Sequence, residues 1–128
     1  MSNVNSPVIS DIKYHFAWHT KFRSPLLVGN IKKRLQEILR QDCKQEGIEI
    51  LGGLVGKDYV YMRIKCPARL APSKIAQLLK GRSSRLMQEE YPDIKNDLRL
   101  RGSLWNDGYL CYTFGEATEE DIREIIGW

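Results

Sequence analysis

Residues 58–65, Asp58-Tyr59-Val60-Tyr61-Met62-Arg63-Ile64-Lys65, alternate at the two-residue period of a β-strand. Val60, Met62, Ile64 and Cys66 fall on one face, and Tyr59, Tyr61, Arg63 and Lys65 on the other. The second face joins two aromatic rings to two cations. It can stack bases and hold phosphates, and it carries no obvious nucleophile or metal ligand. His15 and His19 share a face of an earlier alternating stretch, which meets metal-ligand spacing on paper. No third ligand of suitable type accompanies them, which favours a structural pair. Asp58 could bind a metal weakly, but its simpler role is to shape the turn before the strand.

A second group of residues could recognise an anion. Lys80, Arg82 and Arg85 recur towards the outer side of a predicted helix, with Ser83 and Ser84 as small hydroxyl donors between them. Such a charge run is ordinarily a solvated face. Gly81 argues for more, because a glycine inside a helix costs about 1 kcal/mol relative to alanine. Close approach of a nucleic-acid backbone is one reason to keep it.

The elements that must position these groups follow from periodicity. Residues 1–12 read as a disordered lead-in and residues 13–128 as one domain. Residues 13–20 alternate as a strand, with Tyr14, Phe16 and Trp18 on one face and His15, Ala17 and His19 on the other; Lys21-Phe22-Arg23-Ser24-Pro25 breaks it. Ile31, Leu35, Ile38, Leu39 and Cys43 predict a helix over residues 31–45, stopped by Gly47. Residues 48–55 and 59–66 form an antiparallel hairpin across a short turn. Ser73 opens the helix that carries Ile75, Leu78, Leu79, Leu86 and Met87. Residues 91–102 are a charged connection, and residues 103–105 and 109–114 are strands about an Asp107-Gly108 turn. Thr118 caps a short last helix with acids in its first turn. This order predicts an α+β fold: a ferredoxin-like (RRM-like) antiparallel sheet with helices packed on one face.

Composition sets looser bounds. A net charge of +4 and a pI near 9.0 lean weakly towards an anionic partner. Cations outnumber acids between Lys65 and Arg101, whereas acids dominate from Asp107 onward, so the two regions attract and repel phosphate respectively. Three cysteines, Cys43, Cys66 and Cys111, lie in apolar patterns without Cys-x-x-Cys spacing. Reduced, buried thiols and a cytoplasmic location are expected. Residues 1–11 lack signal-peptide order, and no run reaches membrane-spanning length, so no membrane association is expected.

Several segments together resemble the small single-stranded-DNA transposases of the IS-two-hundred-like family, the HUH-type tyrosine transposases. They are Tyr14-His15, Trp18 with Thr20-Lys21-Phe22-Arg23, Asp58-Tyr59-Val60-Tyr61, residues 79–86, Leu104-Trp105-Asn106-Asp107-Gly108-Tyr109 and Thr118-Glu119-Glu120-Asp121-Ile122. The resemblance spans residues 14–128 and is specific in order and spacing. It implies a ferredoxin-like sheet, a homodimer, and binding of hairpin or single-stranded transposon-end DNA. It also implies strand cleavage by a tyrosine of the last helix, assisted by magnesium or manganese.

The same resemblance implies that this chain has lost that chemistry. The two metal-ligand histidines of the family match Tyr59 and Tyr61, and a neutral phenol is a poor ligand at neutral pH. The nucleophilic tyrosine matches Ile125. A further glutamine ligand, about one turn beyond it, is expected to be missing after Trp128. Tyr109 matches a strand tyrosine of the family that is not its nucleophile, and Tyr112 is weighed and set aside with it. No intact catalytic residue, no metal site and no cofactor are therefore expected. Tyr59 and Tyr61 either stack a base or cover the place the metal vacated. Lys21, Arg23, Arg63, Lys80, Arg82, Ser83 and Arg85 are the expected DNA contacts. The expected function is DNA binding without cleavage; the alternative is a regulator that poisons an active relative in mixed dimers.

Overall fold

The computed structural model describes residues 11–97, 100 and 102–126. Strand β1 (Asp11–His19) leads into a tight turn at Lys21–Arg23, followed by helix α1 (Gly29–Glu46). Strands β2 (Glu49–Val55) and β3 (Tyr59–Pro67) precede helix α2 (Pro72–Glu90) and the short α3 (Pro92–Lys95), and β4 (Leu110–Thr113) and α4 (Glu119–Ile126) complete the chain. The four strands form one antiparallel sheet in the order β2-β3-β1-β4. The α+β architecture and the antiparallel sheet are as expected.

Alternation in β1 and β3 builds the main core. Phe16, Trp18, Val60, Met62, Ile64 and Cys66 project to the face covered by Leu35, Ile38, Leu39 and Cys43 of α1 and by Ile75, Leu79 and Met87 of α2. Gly47 ends α1 in the left-handed region at φ 74°, which a side chain would resist. Pro72 opens α2 at its first turn, one residue before the expected Ser73, because a first-turn proline forfeits no hydrogen bond.

Helices are not confined to one face, however. Ala17 and Tyr61, on the opposite face of the sheet, are buried together with Ala117 and Ile122. Ile122 gives α4 an apolar side, so it covers part of the face expected to stay open. Residues 11 and 12, assigned to the lead-in, belong to β1, which pairs Asp11 with Pro67 and Ile12 with Cys66. The remainder of that lead-in lies outside the described residues. The expected charged connection contains α3, whose Ile94 reaches the core.

The expected strand at residues 103–105 is absent, and only Leu110–Thr113 forms a strand there. Trp105 makes a single bridge to Thr20, and the Asn106 N–H donates to the His19 carbonyl at 3.0 Å. This segment therefore continues along the end of β1 and does not turn back on β4. Gly108 takes φ 88°, as the Asp-Gly signal anticipated.

Candidate nucleic-acid interface

The face of β1 and β3 that α4 partly covers brings Tyr59, Tyr61 and Ile125 into one region. Tyr61 is 2% exposed. Its hydroxyl lies 2.8 Å from His15 Nδ1, and His15 Nε2 lies 2.9 Å from the Ala117 carbonyl. A carbonyl oxygen only accepts, so Nε2 carries the proton; in the neutral ring Nδ1 then accepts from the Tyr61 hydroxyl. Phe114 stacks on the other side of the imidazole at 4.5 Å between centroids. Tyr61 is thus a buried hydrogen-bonding residue, not a surface for bases, which decides the open alternative for this ring.

Tyr59 differs. It is half-buried, its ring lies over Gly56 where an added Cβ would collide with it, and it lines a cavity of about 240 Å³ with Ile125. His19, Arg23, Asn106 and Asp107 line the same cavity. Ile125, 48% exposed, supplies hydrocarbon only. The positions matched to a metal ligand and to the nucleophile, Tyr59 and Ile125, thus line one cavity.

The donors do not fit a divalent ion. Burial raises the pKa of both phenols, with Asp58 adding to the effect at Tyr59 and Glu119 at Tyr61. A phenolate ligand is thereby disfavoured further. The Tyr61 oxygen is engaged by His15, and the Asp58 carboxylate is held by Arg23 at 3.1 Å. Among the described residues no three His, Cys, Asp or Glu side chains are grouped to hold a metal.

The turn after β1 is unusual. Phe22 and Arg23 have φ of 57° and 54°, an arrangement that costs non-glycine residues about 1–3 kcal/mol each. The surroundings impose it. Thr20 donates from its amide to the Asp58 carbonyl at 2.9 Å and from Oγ1 to the Ser24 carbonyl at 2.8 Å; Lys21 Nζ reaches the Leu100 carbonyl at 2.6 Å. Phe22 is left 73% exposed. Charge and hydrophobicity gave no warning of this strained knuckle.

The basic face of α2 is largely committed to the fold. Lys80 Nζ donates to the Asn106 and Gly108 carbonyls at 2.8 and 2.6 Å, and burial lowers its pKa. Arg82 bonds Asp42 at 3.2 Å and Gln45 at 3.0 Å on α1. Ser83 is fully buried, donating to the Leu79 carbonyl and accepting from the Trp105 indole at 2.9 Å. The expectation that Ser83 faces a phosphate is corrected, because Trp105 and α2 bury it; Arg82 stays partly exposed beside its ion pair with Asp42. Lys21 is spent on Leu100, and Arg63 pairs with Glu119 while lying over Gly52. Arg85 is exposed with an i,i+4 partner, Glu89. Lys80, Gly81, Arg85 and Lys95 line an open groove of about 490 Å³ between α2 and residues 102–107. Nothing stands within 4 Å of a Cβ added at Gly81. Among the described residues, no packing from outside α2 explains that glycine.

Residues 8–127 match the family model described as "Transposase IS200 like". The ISDra2 transposase TnpA of Deinococcus radiodurans is 33% identical over 92% of this chain and 84% of its own length. The transposase for insertion sequence element IS200 of Salmonella typhimurium is 30% identical over 89% of this chain and 74% of its own. Among solved structures, a crystal structure from Deinococcus radiodurans R1 assigned as a transposase superposes with a TM-score of 0.83 at 30% identity, covering 94% of this chain and 92% of that one. A REP-associated tyrosine transposase bound to a REP hairpin superposes at 0.62 with 13% identity, covering 98% of this chain and 68% of that one; at that identity the likeness is one of fold.

Proposed function

Because this chain belongs to the IS200-like transposase family, we propose that it binds hairpin or single-stranded DNA of the kind found at transposon ends, without cutting it. The observation that carries this reading is the convergence of Tyr59, Tyr61 and Ile125 in one region, with hydrocarbon at the position matched to the nucleophile, two phenols that burial keeps protonated, and no grouped metal ligands among the described residues. In strand cleavage through a tyrosine, a phenolate must attack phosphorus while a metal polarises the phosphate. Ile125 cannot attack, and the Tyr61 oxygen is engaged by His15.

The anion-binding surface of this reading is the groove beside Gly81, with Arg85 and Lys95 facing DNA and Lys80 holding its rim. Arg23 extends it from the far end of β1, where Lys21 holds the Leu100 carbonyl and adds only its charge, and Arg63 contributes charge on the sheet. The protein acts as a homodimer in a cytoplasmic setting. Edge strand β2 supports assembly, since Ile50, Leu51 and Leu54 are exposed on it and an open edge pairs readily with another strand. The same edge would allow mixed dimers with an active relative, which is the regulatory alternative. Among the described residues no helix is long and apolar enough to cross a membrane.

The test is incubation with hairpin DNA bearing single-stranded flanks, in magnesium or manganese, followed by denaturing gel electrophoresis. Retarded complexes under native conditions with neither nicks nor covalent adducts support the reading. An adduct that maps to a tyrosine would overturn it, as would absence of binding at low salt.

A further inference from the structure

Resting on the DNA-binding reading, we propose that the cavity between the end of β1 and residues 106–110 receives one unpaired base, with Tyr59 as its wall and Phe22 stacking the adjoining base at the rim. Three observations converge here. The cavity, about 240 Å³, falls below the range of roughly 300–1,000 Å³ typical of drug-sized ligands. It suits a single ring system and excludes a base pair. Its lining combines the Tyr59 ring and the His19 imidazole with Arg23, Asn106 and Asp107. Aromatic faces accept any base, and amide or carboxylate groups can read its edge. Arg23 is partly balanced by Asp58, and Asp107 adds negative charge, so the cavity is built for a neutral base, and the phosphates stay outside.

The second observation is Trp18, which lines this cavity and is 3% exposed. It packs edge-on against Trp105 at 5.7 Å between centroids, so the core holds this part of the wall rigid.

The third is the knuckle at Phe22, one residue from Arg23. The backbone there is strained, tethered on both sides, and presents a ring at 73% exposure. Strain that surrounding bonds impose on an exposed aromatic is a mark of a functional position. Lys80 completes the arrangement at a distance: by gripping the Asn106 and Gly108 carbonyls it fixes the loop that forms one wall.

The test compares a short thymidine oligomer with an abasic deoxyribose-phosphate chain of equal length and charge, titrated against the full chain. The oligomer should bind about tenfold more tightly, the order expected for a stacked base. Phe22→Ala, which removes an exposed ring, and Tyr59→Ala should each shrink this gap while leaving the abasic affinity unchanged. Arg85→Ala should weaken both ligands alike. Equal affinity for the two chains would overturn the base site and leave the DNA-binding reading intact; so would a gap that survives both aromatic substitutions. Failure of both chains to bind would overturn the DNA-binding reading and the base site with it.

Discussion

The Tyr61 hydroxyl and His15 Nδ1, 46 residues apart in sequence, meet at 2.8 Å beneath α4. Through the second imidazole nitrogen the pair reaches the carbonyl of Ala117, two residues before the helix begins. The pair is a structural fastening between the sheet and the segment that enters the last helix.

Tyr61→Phe should therefore destabilise the protein without altering DNA affinity. The change keeps the ring but strips His15 Nδ1 of its donor, and leaving a buried acceptor unsatisfied costs about 1–3 kcal/mol. Thermal melts measure the loss, and hairpin titrations below the lowered melting point measure affinity. A stability change near zero accompanied by weakened binding would place Tyr61 on the DNA surface.

Restoring the metal site should require more than one substitution. Tyr59→His combined with Tyr61→His should create measurable manganese affinity, because neutral imidazoles are good ligands at pH values where phenols are protonated. The double variant should still not cut DNA, since Ile125 supplies no nucleophile. Adding Ile125→Tyr is the smallest change from which cleavage could return. Nicking by the two-histidine protein alone would show that another group attacks.

Much of this arrangement was readable from the sequence. The period-two runs of β1 and β3 and the 3.6-residue period of α1 and α2 placed the core face, because burial acts on those periods directly. Thr118 also signalled its helix: Asp121 N–H donates to the Thr118 hydroxyl at 3.2 Å, and the Asp121 carboxylate accepts from the Thr118 N–H at 2.9 Å. The partners of long polar side chains were not readable. Arg82 shares its spacing with Lys80 and Arg85, yet helical rotation turns it onto Asp42 of α1, and no local pattern reports a contact 40 residues away. Ser83 is hidden by Trp105 for the same reason. Tyr61 looked equivalent to Tyr59 until the fold buried the one fully and the other by half.

Arg82→Ala should lower stability more than DNA affinity. Asp42 is almost wholly buried, and Arg82 is its ion-pair partner on α2. Removing one member of such a pair strands the other, at about 3 kcal/mol. Burial already raises the Asp42 pKa, and Arg82 is the largest influence holding it down. A carboxyl with a raised folded-state pKa binds its proton more tightly when folded, so its contribution to stability falls as pH rises through that value. The variant should therefore lose stability more steeply with increasing pH above the ordinary carboxylate range than the parent does. Asp42→Asn in the same background should flatten that dependence. Melting curves across acidic and neutral pH check both points.

The thiols should resist alkylation at neutral pH. Burial pushes Cys43 and Cys66 up to about 12 and Cys111 to about 11, so little thiolate is present. Cys111 is only half-buried and should react first, with the other two following only on unfolding. Mass spectrometry after timed exposure to iodoacetamide gives the order. Rapid labelling of Cys43 in the folded protein would contradict the packing of α1 on the sheet.

Gly81→Ala separates stability from DNA binding most sharply. In α2 a glycine gives up about 1 kcal/mol relative to alanine, through the backbone freedom it retains when unfolded. Outside the backbone of α2 itself, an added Cβ meets no atom of the described residues within 4 Å, so their packing does not oppose the change. Alanine should therefore raise the melting temperature by about 4 °C for a domain of this size. The glycine borders the groove lined by Lys80, Arg85 and Lys95, and a DNA backbone seated there would meet the new methyl group. Hairpin affinity should then fall while its dependence on salt stays the same, because no cation has been removed and counterion release follows charge contacts. A more stable variant with undiminished affinity would remove the α2 groove from the DNA path, leaving the end of β1, with Arg23 and Phe22, as the surface on which binding must be sought.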